Sequence, residues 1–416
     1  MNYSPDRAAA CRFCGSTVRH TFTDLGMSPP CESILAADKL DQAEAFFPLR
    51  VLVCEECFLV QLKEYISPAE IFTEYAYFSS YSDSWLAHAR RYVDMTTDRF
   101  GLNPQSLVVE LASNDGYLLQ YFVQRGIPVL GIEPAANVAR DAEARGVRTR
   151  VDFFGRELAQ QLALEGSQAD MIVANNVLAH VPDLRSFVAG IKTLLKPNGV
   201  ITIEFPHLMR LMEDIQFDTI YHEHFSYFSF LTTIRILDGF GLTVFDVEEL
   251  PTHGGSLRVY ARHREAPAPA VSEKVRELAS REETAGFGRL ETYFSFDEKV
   301  KEAKRRILAF LIDAKCAGKT VVGYGAPGKG NTLLNYCGIR TDFLDYTVDR
   351  NPYKHGKFLP GTHIPIYAPE RIAQTRPDYI MILPWNLKEE IRKQLSYVRE
   401  WGGRLVVPIP KVEILD

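Results

Sequence analysis

Cys11-Arg-Phe-Cys14-Gly15 and Cys54-Glu-Glu-Cys57 form two CxxC pairs near the start of the chain. Each pair sets two thiolates at a reach suited to one tetrahedral zinc ion, and Gly15 suits a tight knuckle turn. Four thiolates leave no open coordination position, so a zinc held by Cys11, Cys14, Cys54 and Cys57 is expected to be structural. Neither pair opens a helix after a buried strand, the setting of a redox CxxC. Residues 1–70 are rich in turn formers and hold five of the seven cysteines, which reads as a zinc-binding module. Cys31, Cys316 and Cys337 read as small buried hydrophobes.

A length of 416 residues fits two to three domains, and 46% hydrophobic residues suffice for ordinary cores. The net charge is −6 and no long Lys/Arg block occurs, so nucleic acid is not an expected partner. Polar residues follow Met1, and apolar stretches such as Val51–Leu62 are short and carry charges. No secretory signal or membrane helix is therefore expected, and a cytoplasmic location follows with its cysteines reduced. No coiled-coil or interface stripe stands out, and a monomer is expected.

His263–Ser272, HREAPAPAVS, reads as a Pro/Ala linker between 71–262 and 273–416. In the middle part Leu107–Leu111, Val129–Ile132, Met171–Ala174 and Val200–Phe205 read as buried strands. Tyr117–Gln124 is expected to be helical and Pro197-Asn198-Gly199 a turn. This alternation predicts an α/β domain with a parallel sheet. Beyond the linker, Ser295-Phe-Asp-Glu298 predicts a capping box opening a helix to about Ala317. Thr320–Tyr324 and Phe343–Val348 read as strands of a second, smaller α/β domain.

Two glycine loops point to two ligands. Glu110-Leu-Ala-Ser-Asn-Asp-Gly116 follows the first strand of the middle domain, and Glu133 ends the next, placed to hold ribose hydroxyls. This loop resembles the first motif of class I methyltransferases, and Asn175-Asn176 through Asp183 resembles the segment after their fourth strand. The second loop, Gly323-Tyr-Gly325-Ala-Pro-Gly328-Lys329-Gly330, satisfies GxGxxG, with Asp349 downstream as for a nicotinamide cofactor. Gly330 stands where a nucleotide-triphosphatase loop needs Ser or Thr. Lys329 beside a helix N-terminus favours a diphosphate.

Asp218-Thr-Ile-Tyr221-His222-Glu223-His224-Phe225-Ser226-Tyr227 concentrates acid–base groups. Adjacent ionisable side chains are costly in a core. No further carboxylate or histidine stands at metal-ligand spacing from His222 and His224. Histidine is substantially unprotonated at neutral pH, so His224 is the expected general base. Glu223 could serve only if burial raised its pKa. Glu74-Tyr75-Ala-Tyr77-Phe-Ser-Ser-Tyr81 reads either as an aromatic staple between domains or as a substrate contact.

The paired CxxC, ELASNDGYLL, YHEHFSYFS, GYGAPGKGNTLL and DRNPYKHG together resemble the sugar C-methyltransferases of antibiotic deoxysugar pathways, nearest to those of the tetronitrose and kijanose pathways. The resemblance runs nearly end to end. It implies an N-terminal zinc module, a class I (Rossmann-like) methyltransferase domain binding S-adenosylmethionine, and a Rossmann-like C-terminal domain helping to hold a dTDP-linked 4-keto sugar. It implies a reactive set of Tyr75, His180, Tyr221, Glu223 and His224. Cofactor contacts fall on Glu110, Ala112, Asn114, Gly116, Glu133, Pro134, Phe153, Asn175 and Asn176. Substrate contacts fall on Tyr75, Gly325, Lys329, Gly330, Asn331, Asp349, Arg350 and Lys354. The implied substrate is dTDP-3-amino-2,3,6-trideoxy-4-keto-D-glucose, methylated at C-3. The competing reading is an NAD-dependent nucleotide-sugar epimerase or dehydrogenase using Gly323–Gly328, which leaves Glu110–Gly116 and the acid–base cluster without a role.

Overall fold

The computed structural model describes residues 9–72, 79–81 and 83–415. The buried strand candidates of the middle domain form one seven-stranded sheet. Its strands are β1 (Val108–Leu111), β2 (Val129–Ile132), β3 (Thr149–Arg150), β4 (Ala169–Asn175), β5 (Leu195–Pro206), β6 (Leu242–Leu250) and β7 (Ser256–His263). They lie in the order β3-β2-β1-β4-β5-β7-β6. Neighbours from β3 to β5 pair in parallel, and β7 runs antiparallel to both β5 and β6. Every residue of β1 and β2 is buried, as expected of strands covered on both faces. The order reverses between β1 and β4, which leaves a crevice at the carboxyl ends of these strands.

Local elements differ from expectation in small ways. The helix after β1 is Leu119–Val123, shorter than Tyr117–Gln124. Pro197-Asn198-Gly199 lies inside β5, where the pairing register with β4 breaks between Leu195 and Val200.

The zinc module folds as an antiparallel sheet of His20–Ser28, Phe47–Val53 and Val60–Leu62, and its outer strand is Ser226–Tyr227 from the acid–base segment. Ser226 pairs with Gln61 and Tyr227 with Val60. The segment that carries the chemistry is thus a strand of the zinc module.

The C-terminal sheet contains β8 (Val321–Tyr324), β9 (Thr347–Val348), β10 (Ile366–Tyr367), β11 (Tyr379–Ile382), β12 (Arg404–Val407) and β13 (Glu413–Leu415). Its order is β10-β9-β8-β11-β12-β13, parallel throughout except for β13. Only the end of the expected strand 343–348 pairs; Phe343 and Leu344 close a turn on the Arg340 carbonyl.

The long helix runs Leu290–Cys316, so Ser295-Phe-Asp-Glu298 lies inside it and is no capping box. Ser295 Oγ donates to the Thr292 carbonyl of its own helix. Nothing in Leu290–Phe294 breaks a helix, and Tyr293 already belongs to the buried stripe that continues through Phe296 and Val300. This helix packs on the zinc module, with Phe296 stacked on Phe22 at 4.6 Å. The zinc module and the C-terminal domain accordingly share one core, while Cys11, Cys54 and Cys57 pack into the core of the middle domain.

Packing of the middle domain runs past the 263–272 segment. The next helix, Glu273–Thr284, buries Val275 and Leu278 in the middle core. Its Glu282 accepts from Phe230 N and Leu231 N at 2.8 Å each, capping the helix Phe230–Gly239. Among the described residues no helix is long and apolar enough to cross a membrane.

Candidate active site and zinc centre

The four expected zinc ligands converge. Their sulfur atoms all lie within 4.8 Å of one another, with Cys11–Cys57 at 3.4 Å and Cys14–Cys54 at 3.5 Å. A tetrahedral ion with Zn–S bonds near 2.3 Å needs sulfurs about 3.8 Å apart, so the set fits zinc. In the first knuckle Gly15 N donates to the Cys11 carbonyl, and Gly15 has φ +79°. In the second, Phe58 takes the equivalent left-handed position at φ +60°. Its ring is held by Tyr293, stacked at 5.9 Å, and by Arg235 at 5.3 Å. Arg12, between the first two ligands, donates to Pro182 O at 2.9 Å and Leu62 O at 2.7 Å.

A cavity of about 670 Å³ opens at the carboxyl ends of β1, β2 and β4 and extends to the acid–base segment and the second glycine loop. At the sheet end its walls are Ala112, Asn114, Glu133, Pro134, Phe153, Asn175 and Asn176. The loop after β1 holds Ala112, Asn114 and Gly116 at φ +56°, +49° and +73°. This opens its backbone to the cavity. Glu133 accepts from Asn114 N and Ala135 N at 2.9 Å each, which fixes its carboxylate at the cavity wall. The side-chain Oδ1 of Asn175 and both amide atoms of Asn176 are buried without a protein partner, so a polar ligand is what this wall accommodates.

Glu110 and Gly116 stand behind this wall. Glu110 is buried, hydrogen-bonded to Tyr117, and its pKa is pushed up by burial. A Cβ on Gly116 would meet Val147 at 3.0 Å and Ala142 at 3.3 Å, so this glycine lets the loop pack on the helix Ala136–Ala144 and the turn that follows it.

His180, Tyr221, Glu223 and His224 line the same cavity. The His224 ring lies 4.0 Å from the Tyr221 ring and 4.7 Å from that of His180, centroid to centroid. Its Nδ1 is 2.9 Å from the Thr219 carbonyl. A carbonyl only accepts, so Nδ1 carries the proton and Nε2 is left as the basic nitrogen. Burial and the neighbouring His180 hold the His224 pKa well below the usual histidine range. His180 is held down to about 4 by burial and bonds the backbone of Glu223. Glu223 is pushed up to about 8 by burial and by Glu32. Its Oε1 accepts from the Cys31 thiol at 3.7 Å. Cys31 is therefore more than a buried hydrophobe. His222 turns away, packed between Phe47 and Tyr65. Tyr75 lies outside the described residues.

The second glycine loop splits between two roles. Pro327, Gly328 and Lys329 line the cavity, and Lys329 Nζ donates to Asn386 Oδ1 at 2.8 Å while sitting 5.0 Å over the Trp385 ring. Trp385 in turn donates to Asp218 at 2.7 Å, tying the acid–base segment to the C-terminal domain. Gly325, Gly330, Asn331, Asp349, Arg350 and Lys354 lie outside the cavity lining. A Cβ on Gly325 would meet Pro384 at 2.5 Å, and one on Gly330 would meet Leu383 at 2.9 Å. Asp349 accepts from Ala326 N at 2.7 Å and Asn351 N at 2.8 Å. The space and the acid that a nicotinamide dinucleotide needs are taken by the chain itself. Asn331 is fully buried, Arg350 pairs with Glu390 at 3.6 Å, and Lys354 donates to Ala326 O at 2.8 Å.

Two further cavity residues, Trp85 and His253, went unnoticed in the sequence. Trp85 has no local signal. His253 had one, since the run His253-Gly254-Gly255 marks a tight turn, yet a lone histidine there carries no spacing motif.

A sheet in this order, with a cavity at its switch point and an acid closing β2, defines an S-adenosylmethionine-dependent methyltransferase, here built on a zinc module. Three family models match successive stretches: "Putative zinc binding domain" over residues 11–72, "Methyltransferase domain" over 85–247 and "C-methyltransferase C-terminal domain" over 251–410. The C-methyltransferase NovU of Streptomyces niveus is 37% identical over 409 residues, covering 98% of this chain and 96% of that protein. The chain belongs to this C-methyltransferase family. A ubiquinone biosynthesis O-methyltransferase of Rhodopseudomonas palustris is 24% identical over 117 residues, 26% of this chain and 46% of that protein. The crystal structure of the Burkholderia thailandensis 1,6-didemethyltoxoflavin-N1-methyltransferase with S-adenosylhomocysteine covers 44% of this chain and 82% of its own, at 20% identity and a TM-score of 0.33.

Proposed function

We propose that this C-methyltransferase methylates C-3 of a dTDP-linked 4-keto deoxysugar, such as dTDP-3-amino-2,3,6-trideoxy-4-keto-D-glucose, in antibiotic sugar biosynthesis. The observation that carries the reading is the single cavity joining the cofactor wall to His180, Tyr221, Glu223 and His224. S-adenosylmethionine supplies a methyl group on a positively charged sulfur. Asn114, Glu133, Phe153, Asn175 and Asn176 would hold it, with Glu133 toward the ribose.

The residues of the chain have a different task, which is to make a carbon nucleophile. A hydrogen on the carbon next to a ketone is acidic enough for a positioned base to remove. Nε2 of His224 takes that proton and the C–H electron pair moves into the enolate. The enolate carbon then forms the new C–C bond at C-3 as the sulfur–methyl bond breaks and its electron pair stays on sulfur, leaving S-adenosylhomocysteine. Tyr221 and Tyr75 hold the sugar and its oxygen. Glu223, protonated at neutral pH, serves as a hydrogen-bond donor. Base and methyl donor cannot share one face of the sugar in the same step, so inversion at C-3 is expected. The sugar lies beside Lys329, and the nucleotide extends outward past the helix start at Pro327–Gly330 toward Arg350 and Lys354.

Incubation with labelled S-adenosylmethionine and a panel of dTDP-keto sugars, followed by mass analysis, tests the reading. A methylated keto sugar is expected, and label transferred to none of the panel would remove it. Glu133→Ala should weaken S-adenosylhomocysteine binding by about 1.5–3 kcal/mol, the range for a charge-assisted hydrogen bond. Calorimetry should find dTDP affinity unchanged in this variant, and a loss confined to dTDP would reverse the two assignments.

A further inference from the structure

His253 is a cavity residue that no role given so far includes. It lies on the wall, and its Nε2 is shielded from solvent with no hydrogen-bond partner. A buried nitrogen without a partner is costly unless a ligand satisfies it.

The chain holds this ring in place at some expense. His253 has φ +55° and ψ +20°, a left-handed conformation that histidine adopts infrequently. The surrounding turn is fixed from several sides. Gly255 N donates to Thr252 O, Gln216 Nε2 donates to Gly254 O at 2.7 Å, and Thr252 Oγ1 donates to the buried Glu204. Gly254 packs so closely under Trp385 that a Cβ there would lie 2.4 Å from its ring. The His253 ring meets the edge of Trp85 at 5.4 Å. Its position is thus set by the β6–β7 connection and by Trp385, the same tryptophan that bonds Asp218 and carries Lys329.

The electrostatic setting selects the ligand atom. Burial first, and then the Lys329 ammonium, hold the His253 pKa down to about 4 against the opposite pull of Glu204, so the ring is neutral at physiological pH. A neutral imidazole offers one N–H, and a cation stands close by. An oxygen that gains negative charge during reaction is favoured there, whereas an amine is not.

We propose that His253 is a further catalytic residue, whose Nε2–H donates to the substrate's ketone oxygen as it becomes an enolate, with Lys329 as the neighbouring charge. This rests on the keto-sugar reading above.

The test follows hydrogen exchange at C-3 of dTDP-3-amino-2,3,6-trideoxy-4-keto-D-glucose in deuterated water, without S-adenosylmethionine. His253→Asn suits it, because asparagine tolerates the left-handed backbone while the ring is withdrawn. Exchange and methyl transfer should both fall about 100-fold, the lower end for a lost oxyanion donor. Binding of S-adenosylhomocysteine and dTDP should stay within a few-fold of wild type. A variant exchanging at near wild-type rate, or one that loses S-adenosylhomocysteine binding in its place, overturns the assignment alone. A wild type that neither exchanges nor methylates the sugar overturns the keto-sugar reading and this assignment with it.

Discussion

His224→Asn is expected to abolish methyl transfer, lowering its rate by the 10²–10⁴-fold that a general base contributes. The asparagine amide can still donate to the Thr219 carbonyl that now receives Nδ1, so the loop keeps its anchor while the basic nitrogen is lost. Hydrogen exchange at C-3 should vanish with methylation, and calorimetry should find both ligands still bound. The rival base is Glu223, and pH separates the two. His224 is held neutral far below its ordinary range, so a rate that depends on it stays level from mildly acidic to mildly alkaline pH. Glu223 at about 8 is protonated at neutral pH, so a rate that depends on its carboxylate climbs as pH rises through 8. A low pKa makes a weak base in isolation. Here it reflects the cost of burying a cation, and the enolate formed alongside offsets that cost. Near-normal methylation by His224→Asn, with Glu223→Gln inactive, would transfer the role to the carboxylate.

How much of this was legible in the sequence follows the range of the interactions. The CxxC pairs and the β1 loop are local signals, because the knuckle turn and the left-handed loop are written in adjacent residues. Strands β1, β2 and β4 were equally clear as short apolar runs. The cavity itself was not. His224 and His180 are far apart in the chain, and their rings meet because Phe225 N donates to the Ala179 carbonyl at 2.7 Å. The GxGxxG run shows the opposite failure. Its pattern matches a dinucleotide loop, yet Gly325 and Gly330 are small because Pro384 and Leu383 approach them, a reason no local pattern contains. The capping box failed similarly, since SxxE spacing recurs inside helices and only the buried Tyr293 fixes the true start. Glu32 and Cys31 were invisible for another reason. They reach the site from the zinc module, and only tertiary packing puts them beside Glu223.

Replacing Cys57 by Ser is expected to remove zinc and methyl transfer together, while S-adenosylhomocysteine binding survives. Zinc binding to such thiolate sets is worth on the order of 10 kcal/mol of folding free energy in isolated modules. The second knuckle leads directly into Val60–Leu62, which pairs with Ser226–Tyr227, and Thr232 Oγ1 donates to the Cys57 carbonyl at 3.1 Å. Arg12 spans from the first knuckle to Pro182, just beyond His180, and its guanidinium covers the Phe225 ring at 5.1 Å. Without the ion, nothing covalent holds the two knuckles together, and the segment bearing His224 loses the sheet edge that places it. The cofactor wall stands on β1, β2 and β4, whose hydrogen bonds run within the middle sheet. Metal analysis should find one zinc per chain in the wild type and none in the variant. Turnover should fall with the zinc content, and thermal unfolding should begin at lower temperature. A zinc-free protein that methylates at the wild-type rate would show that the module does not position the catalytic segment. Loss of S-adenosylhomocysteine binding along with activity would show that the middle domain depends on the module for its fold.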